Sequence, residues 1–220
     1  MTDLNLERAR YNMVEQQIRP WEVLDERILD VIETLPRESF VPEPYRNLAY
    51  ADIQIPLPED QVMLEPRVEA RLLQALNPSP QETALEIGTG TGYLTACLAR
   101  LAGDVTTVDI RQSFRELAGG HLAAQGIRNV RFEVADAANG WDDGRRYDCI
   151  AVTGSLPELH EGFHRSLTIG GRLFVVVGEP PIMEALLITR VGDEQWATES
   201  LFDTSVKPLD GAARKHRFQL

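Results

Sequence analysis

The sequence predicts an α/β protein with a doubly wound, mostly parallel sheet, preceded by N-terminal helices and ended by an antiparallel hairpin. From residue 67 onwards, strand-like and helix-like segments alternate, which is typical of a parallel sheet with helical crossovers. The segments 148–152 and 172–177 are almost continuously apolar, as expected of strands that helices cover on both faces. A strand-like stretch at 83–87 leads directly into a glycine turn at 88–92, and a helix-like stretch follows that turn.

The N-terminal part is predicted to contain two helices and a long extended segment. Apolar side chains recur at helical spacing in residues 4–18 and 22–35, and a proline follows each stretch. Residues 36–66 are rich in proline, and so long a segment without regular structure is typical of a lid or a binding loop. We therefore divide the chain into an N-terminal part, 1–66, and an α/β part with C-terminal strands, 67–220, packed as one compact unit.

The α/β part is predicted to alternate in a regular order. Its elements are a helix at 68–76, a strand at 83–87, a helix at 92–102, a strand at 104–109, a helix at 112–125, strands at 130–134 and 147–152, a helix at 157–166 and a strand at 171–178. Residues 182–191 and 196–205 are rich in β-branched and aromatic side chains, and the turn residues 192–194 separate them. This pattern predicts an antiparallel hairpin at the edge of the sheet.

Composition and charge exclude several classes of protein. The chain has 220 residues, of which 43% are hydrophobic and 25% charged, as in an ordinary globular protein. A formal net charge of −12 argues against general binding of nucleic acid. Cys97 and Cys149 lie in apolar stretches without metal-ligand spacing, so we expect buried thiols and no metal. The sequence shows neither a signal peptide nor a membrane span, so we expect a cytoplasmic protein without a membrane partner.

Three carboxylates follow strands of the predicted sheet. Glu86 ends the first strand just before the glycine turn, Asp109 ends the second, and Asp136 follows the third. In a doubly wound sheet, ligands bind beyond the carboxyl ends of the strands. We therefore expect these three side chains and the glycine turn to line one crevice.

The spacing of the glycines favours S-adenosylmethionine over a dinucleotide. The turn has the pattern G-x-G-x-G rather than G-x-G-x-x-G, and an acid precedes it. Asp109 suits the hydroxyls of a ribose, Asp136 the exocyclic amine of adenine, and Glu86 the ammonium group of the amino-acid end. The predicted cofactor-binding residues are Glu86, Ile87, Gly88, Thr89, Gly90, Gly92, Asp109, Ile110, Asp136 and Ala137. Purely structural roles stay open: a tight turn at the glycines, a helix cap at Asp109 and a loop carboxylate at Asp136.

Several further stretches resemble the protein-L-isoaspartate O-methyltransferase family, over roughly residues 10–180. The glycine turn alone indicates a class I methyltransferase with a Rossmann-like fold, and the N-terminal stretches make the resemblance specific to this family. The matching stretches are 13–18, 36–42, 49–52, 85–93, 170–173 and 177–178.

The resemblance implies a reaction of protein repair. In this family a methyl group passes from S-adenosylmethionine to the α-carboxylate of an isoaspartyl residue, and the ester then closes to a succinimide. A carboxylate is already ionised at neutral pH, so the reaction requires no strong base. Positioning of the reactants and exclusion of water are then expected to supply most of the rate. The implied partner is a protein or peptide that contains isoaspartyl residues.

The segment expected to face the acceptor departs from the family pattern. The family shows Gln-Thr-Ile-Ser-x-Pro ahead of the first sheet helix, where this chain has Gln-Val-Met-Leu-Glu-Pro at 61–66. Leu64 matches the serine to which a catalytic or substrate-binding role is assigned, and Val62 matches the threonine. Glu65 adds a negative charge beside them, and Ala137 replaces the glycine that follows the third-strand acid.

This departure leaves the methyl acceptor open. Leu64 holds the catalytic position of the resemblance without its hydroxyl, and Thr153, after the fourth strand, is expected to face the substrate. A methyltransferase of the same fold with a different, more apolar or small-molecule acceptor remains an alternative. So does a non-catalytic protein that binds S-adenosylmethionine. The sequence does not specify an oligomeric state.

Overall fold

A seven-stranded sheet forms the centre of the molecule. The computed structural model describes residues 3–212. Met1, Thr2, His216 and the rest of the predicted α/β part beyond residue 212 lie outside the described residues.

Short helical turns connect the helices and strands of the N-terminal part. A π-helical turn spans Val14–Ile18, and 3-10 turns span Arg19–Trp21, Arg37–Ser39 and Glu43–Leu48. The α-helices are α1 (Asp3–Met13), α2 (Glu26–Thr34), α3 (Pro66–Leu76), α4 (Tyr93–Leu101), α5 (Gln112–Ala124) and α6 (Glu161–Arg165). The strands are β1 (Ile55–Leu57), β2 (Gln61–Met63), β3 (Thr83–Ile87), β4 (Asp104–Asp109), β5 (Val130–Val134), β6 (Tyr147–Leu156), β7 (Leu167–Glu179), β8 (Ile182–Gly192) and β9 (Gln195–Thr204).

The topology confirms the doubly wound prediction. The strand order in the large sheet is β5-β4-β3-β6-β7-β8-β9. β3 pairs in parallel with both β4 and β6, β4 pairs in parallel with β5, and β6 with β7. β7, β8 and β9 are antiparallel, which confirms the C-terminal hairpin. After β5 the chain returns to the centre of the sheet and forms β6 on the other side of β3, so the direction of winding reverses between β3 and β6. Doubly wound sheets bind their ligands at this position.

Two predicted helices are shorter than expected. The helix predicted at 22–35 begins at Glu26, because the side chain of Asp25 accepts a hydrogen bond from the amide of Arg27 and caps the helix. The helix predicted at 157–166 is reduced to α6, because residues 157–160 form bends and irregular backbone between the end of β6 and Glu161.

The proline-rich segment contains a hairpin that the sequence did not predict. β1 and β2 form a separate two-stranded antiparallel sheet in which Ile55 pairs with Met63. In the turn, Glu59 and Asp60 have left-handed backbones, with φ of 58° and 55°. Hairpin turns usually have glycine or asparagine at such positions, so the usual sequence signal is absent here.

The core lies on both faces of the sheet. Along β7, Phe174 packs in a cluster that includes Met13, Phe40 and Leu73, so the N-terminal helices share the core of the sheet. Leu173 packs in a second cluster together with residues such as Ile150 and Phe163. Alternation of neighbouring residues between the clusters is the pattern of a strand covered on both sides. Both cysteines are buried and free, as predicted, and no helix among the described residues is long and apolar enough to cross a membrane.

Candidate active site

A cleft lies at the carboxyl ends of the central parallel strands. Its walls bring together most of the predicted cofactor residues: Ile87, Gly88, Gly90, Asp109, Ile110, Asp136, Ala137 and also Thr153. A smaller cavity adjoins it and shares Gly88, Gly90 and Thr153 with it. Glu86, Thr89 and Leu64 line this smaller cavity, whereas Gly92 lines neither space.

Thr153 holds the glycine turn at its first residue. Gly88 has a φ of 97°, and a Cβ atom there would lie 2.2 Å from the hydroxyl oxygen of Thr153. That hydroxyl is 2.9 Å from the carbonyl oxygens of both Ile87 and Gly88, to which it donates. The hydrogen of Thr153 is therefore used on the backbone of the turn, and the side chain fixes the floor of the cleft.

Gly92 has a packing role at the other end of the turn. Its φ is 85°, and a Cβ atom there would lie 2.8 Å from side-chain carbons of both Ala118 and Leu122. The missing side chain lets the start of α4 approach α5 closely. Gly92 thus sets where α4 begins, while the more open Gly90 faces the cleft.

Asp109 lies at the end of β4, and both of its carboxylate oxygens accept hydrogen bonds from backbone amides. One oxygen accepts from the amide of Gly90 at 3.1 Å and the other from the amide of Arg111 at 3.0 Å. Burial raises the pKa of Asp109, and these amide bonds oppose the rise. Each oxygen keeps a further lone pair for a donor in the cleft.

Asp136 lies at the far end of the cleft beneath the C-terminal segment. Its carboxylate accepts from the amide of Ala138 at 3.0 Å, and a Cβ atom on Gly211 would lie 2.5 Å from it. The segment is held there by two 3.0 Å backbone bonds, from Leu209 to Ser155 and from Ser155 to Lys207. Segment 206–210 contributes to the lining of the cleft, and no motif in the sequence marks it for this role.

Glu86 is a fully buried carboxyl group beneath the smaller cavity. Its Oε2 accepts hydrogen bonds from the hydroxyls of Thr107, at 2.6 Å, and Thr95. Its Oε1 has no hydrogen-bond partner within the described residues. Burial raises the pKa of Glu86 to about 8, and the charge of nearby Asp109 adds to the rise. A buried oxygen without a partner is suited to a donor group that binds in the cavity.

The predicted acceptor segment forms the wall opposite the glycine turn. Leu64 is 6% exposed, and its side chain lines the smaller cavity with Val62 and Leu57. This wall is apolar where the family pattern has hydroxyls. The carbonyl of Leu64 points the other way and accepts a 2.6 Å hydrogen bond from Arg37.

Charged residues join the β1–β2 turn to the C-terminal segment across the mouth of the cleft. Arg111 donates to Glu59 at 2.9 Å and also to Asp210. Lys207 donates to the side chain of Asp60 at 2.5 Å. Sequence reasoning missed all five residues, because no spacing pattern connects positions so far apart in the chain.

The fold and the site define a class I methyltransferase: at the switch point of a doubly wound sheet, a glycine turn adjoins Asp109 and Asp136 in the cleft and Glu86 in the smaller cavity. The family model described as protein-L-isoaspartate(D-aspartate) O-methyltransferase matches residues 8–210. The chain therefore belongs to this family.

Named relatives agree with this assignment, and a solved structure shares the fold. A protein-L-isoaspartate O-methyltransferase of Rhodopseudomonas palustris is 38% identical over 91% of this chain and 92% of its own length. One from Koribacter versatilis is 35% identical over 96% of this chain and 94% of its own length. A Plasmodium falciparum structure in complex with S-adenosyl-L-homocysteine has a TM-score of 0.76 at 18% identity, covering 93% of this chain and 97% of that one. This structural likeness concerns the fold.

Proposed function

We propose that this protein transfers a methyl group from S-adenosylmethionine to the α-carboxylate of isoaspartyl residues in proteins or peptides. The observation that carries the proposal is the free, fully buried oxygen of Glu86 under a glycine turn whose Gly90 amide is held by Asp109. The relatives that match nearly the whole chain are named for this activity.

The residues of the cleft fit the parts of the cofactor. Glu86 Oε1 would bind the ammonium group, Asp109 the ribose hydroxyls and Asp136 the amine of the adenine. The glycine turn leaves space for the cofactor because it carries no side chains at Gly88 and Gly90. When bound, S-adenosylmethionine supplies an electrophilic methyl group on its sulfonium. Burial raises the pKa of Glu86 to about 8, and a cationic group held at Oε1 would lower it again and favour the ionised form.

The residues on the acceptor side position the acceptor carboxylate and exclude water from it. An isoaspartyl carboxylate is already ionised at neutral pH, so no residue has to remove a proton from it. Val62 and Leu64 exclude water from the reacting atoms, and Thr153 holds the turn under them. The rate then depends on how firmly segment 61–66 and the glycine turn are held against each other.

A methyl-transfer assay tests this function. Purified protein is mixed with labelled S-adenosylmethionine and either an isoaspartyl peptide or the matched aspartyl peptide, and base-labile label is measured. We expect label on the isoaspartyl peptide alone, and its loss in the Asp109→Ala variant. No label on either peptide would contradict the proposal.

A second candidate function is methyl transfer to a different acceptor. The observation that favours it is the apolar wall of Val62 and Leu64. Incubation with labelled cofactor and a size-fractionated cell extract separates the candidates: label in a small molecule, with none on the isoaspartyl peptide, supports the second. Cofactor binding by calorimetry without any labelled product identifies a non-catalytic binding protein.

A further inference from the structure

Arg37 is a fully buried charge that no step of the proposed reaction uses. It follows Pro36 in the N-terminal part, and its guanidinium donates in three directions. Nε donates to the carbonyl of Ala49 at 2.9 Å, Nη2 to the carbonyl of Leu64 at 2.6 Å, and Nη1 to the carboxylate of Glu69.

The same guanidinium contacts both walls of the smaller cavity. It lies 4.7 Å from the ring centre of Tyr93, which is the first residue of α4 after the glycine turn. On the opposite wall it holds Leu64, and both Leu64 and Tyr93 line the cavity. Arg37 thus connects the acceptor-facing segment to the helix that begins at the cofactor's glycine turn.

The segment needs such a contact because its own ladder is short. The pairing of β2 with β1 ends at Met63, so Leu64 lies beyond the last ladder pair. The bond from Arg37 reaches the first carbonyl after the strand. Burying an ion pair is costly, and well-packed apolar residues often give equal stability, which makes geometry the better explanation for a charge in this place.

We propose that Arg37 is a positioning residue, which holds segment 61–66 against the glycine turn so that acceptor and methyl group meet. The proposal rests on the proposed function for the identity of the acceptor, and on the structure alone for the position of the segment. Arg37 acts through Leu64 and Tyr93 and does not itself line the smaller cavity, whereas its partner Glu69 does.

The test replaces the buried pair as a unit. The double variant Arg37→Met with Glu69→Leu leaves neither member of the pair as an unpaired buried charge. Because Glu69 also lines the smaller cavity, Arg37→Lys, which keeps Glu69 in place, is measured beside it, and only a change that both variants share is assigned to Arg37. Its matched control is Arg172→Met with Glu82→Leu. Arg172 likewise joins a glutamate, Glu82 at 2.6 Å, to a backbone carbonyl, that of Leu76 at 2.8 Å. Leu76 is the last residue of α3, whereas Glu69, the partner of Arg37, lies nearer the start of this helix.

We expect the variant to separate acceptor chemistry from cofactor binding. Affinity for S-adenosylhomocysteine should stay within about twofold of wild type, while kcat with the isoaspartyl peptide falls about 100-fold, as expected when reactants are misplaced by about 1 Å. Hydrogen exchange at the amides of 62–65 should speed up about tenfold, since local opening becomes easier. The control pair should change neither kcat nor this exchange.

Two results would overturn the proposal: unchanged exchange at 62–65, or cofactor affinity that falls in parallel with kcat. If wild type does not methylate the peptide, the proposed function fails, and exchange together with cofactor affinity still decides the role of Arg37. If the double variant does not fold, Arg37→Lys alone decides, because lysine keeps a charge beside Glu69 but cannot form the fork that reaches Leu64 and Ala49. The same increase in exchange is then expected.

Discussion

Glu86 is a fully buried carboxyl group whose pKa is set by burial, by two hydrogen bonds and by neighbouring charges. Thr95 and Thr107 donate to one of its oxygens, and the other, which has no partner among the described residues, is the one we propose binds the cofactor. Glu86→Gln keeps the shape and a carbonyl acceptor but removes the charge. We expect affinity for S-adenosylmethionine to fall about 10- to 100-fold, since hydrogen bonds to charged groups contribute about 1.5–3 kcal/mol.

Calorimetry across pH checks this expectation. In wild type, affinity should rise as pH approaches the pKa of Glu86 near 8, because the ionised form binds the cation. The Glu86→Gln variant should lose that rise. Glu82→Gln, which alters a carboxylate paired with Arg172 away from the cleft, is the control and should keep the wild-type profile. Equal profiles for Glu86→Gln and wild type would contradict the role of Glu86.

Leu64 offers a second test at the residue scale. Leu64→Ser restores the hydroxyl of the family pattern in a wall that is otherwise apolar. We expect kcat/KM for an isoaspartyl peptide to rise about 5- to 10-fold, because one added hydrogen bond to the acceptor carboxylate is worth about 1 kcal/mol net. Leu57→Ser, further along the same wall, is the control and should give no rise. A fall for Leu64→Ser would favour the apolar acceptor.

At this scale the sequence predicted the carboxylates better than their surroundings. Glu86, Asp109 and Asp136 could be placed because parallel strands end at one edge of the sheet. Asp109 and Asp136 line the cleft, and Glu86 lines the adjoining smaller cavity; their cofactor roles remain our proposal. Arg37 and the direction of the Thr153 hydroxyl could not be found, because both depend on contacts between segments far apart in sequence.

Helices α4 and α5 show how one glycine sets the geometry of two elements. Gly92→Ala would place a methyl group 2.8 Å from Ala118 and Leu122 in a left-handed backbone. We expect it to lower the free energy of unfolding by about 2–4 kcal/mol, from overpacking and the cost of the left-handed conformation. Urea unfolding measures this loss. Gly119→Ala, on α5 with open space around it, should instead be neutral or stabilising by up to about 1 kcal/mol.

We propose that the contact between the β1–β2 turn and segment 206–210 controls access to the cleft. Arg111 contacts both elements, through Glu59 and Asp210. These partners are partly exposed, so we expect Arg111→Ala to leave thermal stability almost unchanged. Release of S-adenosylhomocysteine should become about 3- to 10-fold faster in stopped-flow measurements, because the β1–β2 turn and segment 206–210 are then held together less firmly over the cleft. Arg145→Ala, which removes an exposed pair with Asp104, is the control and should leave release unchanged.

The sequence predicted the sheet at the element scale because its signals are local. β3, β4 and β5 begin and end where apolar patterning placed them. The β1–β2 hairpin was missed because Pro56 weakens the strand pattern and the turn has acidic residues in place of glycine. Two helix limits were wrong, where Asp25 caps α2 and where residues 157–160 are not helical.

The burial of Glu86 also affects the stability of the whole molecule. Its pKa rises from an ordinary glutamate value in the unfolded chain to about 8 in the fold, so the folded state holds more protons between about pH 4.5 and 8. The contribution is therefore fully present below the lower value and is lost as pH rises towards 8. We expect the free energy of unfolding to fall with pH in this window, by at most about 1.4 kcal/mol per unit from this group.

Urea unfolding of wild type and Glu86→Gln from pH 5 to 9, without cofactor, isolates the contribution. Groups that do not interact with Glu86 cancel in the difference, and the carboxylates whose pKa is lowered by partners, such as Glu82 and Asp148, lose stability only in acid. Burial raises the pKa of Glu69 to about 7, and its charge acts on Glu86, so a Glu69→Gln background is measured in parallel.

The Glu86→Gln variant should therefore gain on wild type as pH rises to 8 and no further beyond it. Saturating S-adenosylmethionine should reduce the gain, because its cation stabilises ionised Glu86 in wild type. A constant difference across pH would show that Glu86 is ionised in the folded protein throughout, and that Thr95 and Thr107 suffice to hold its charge.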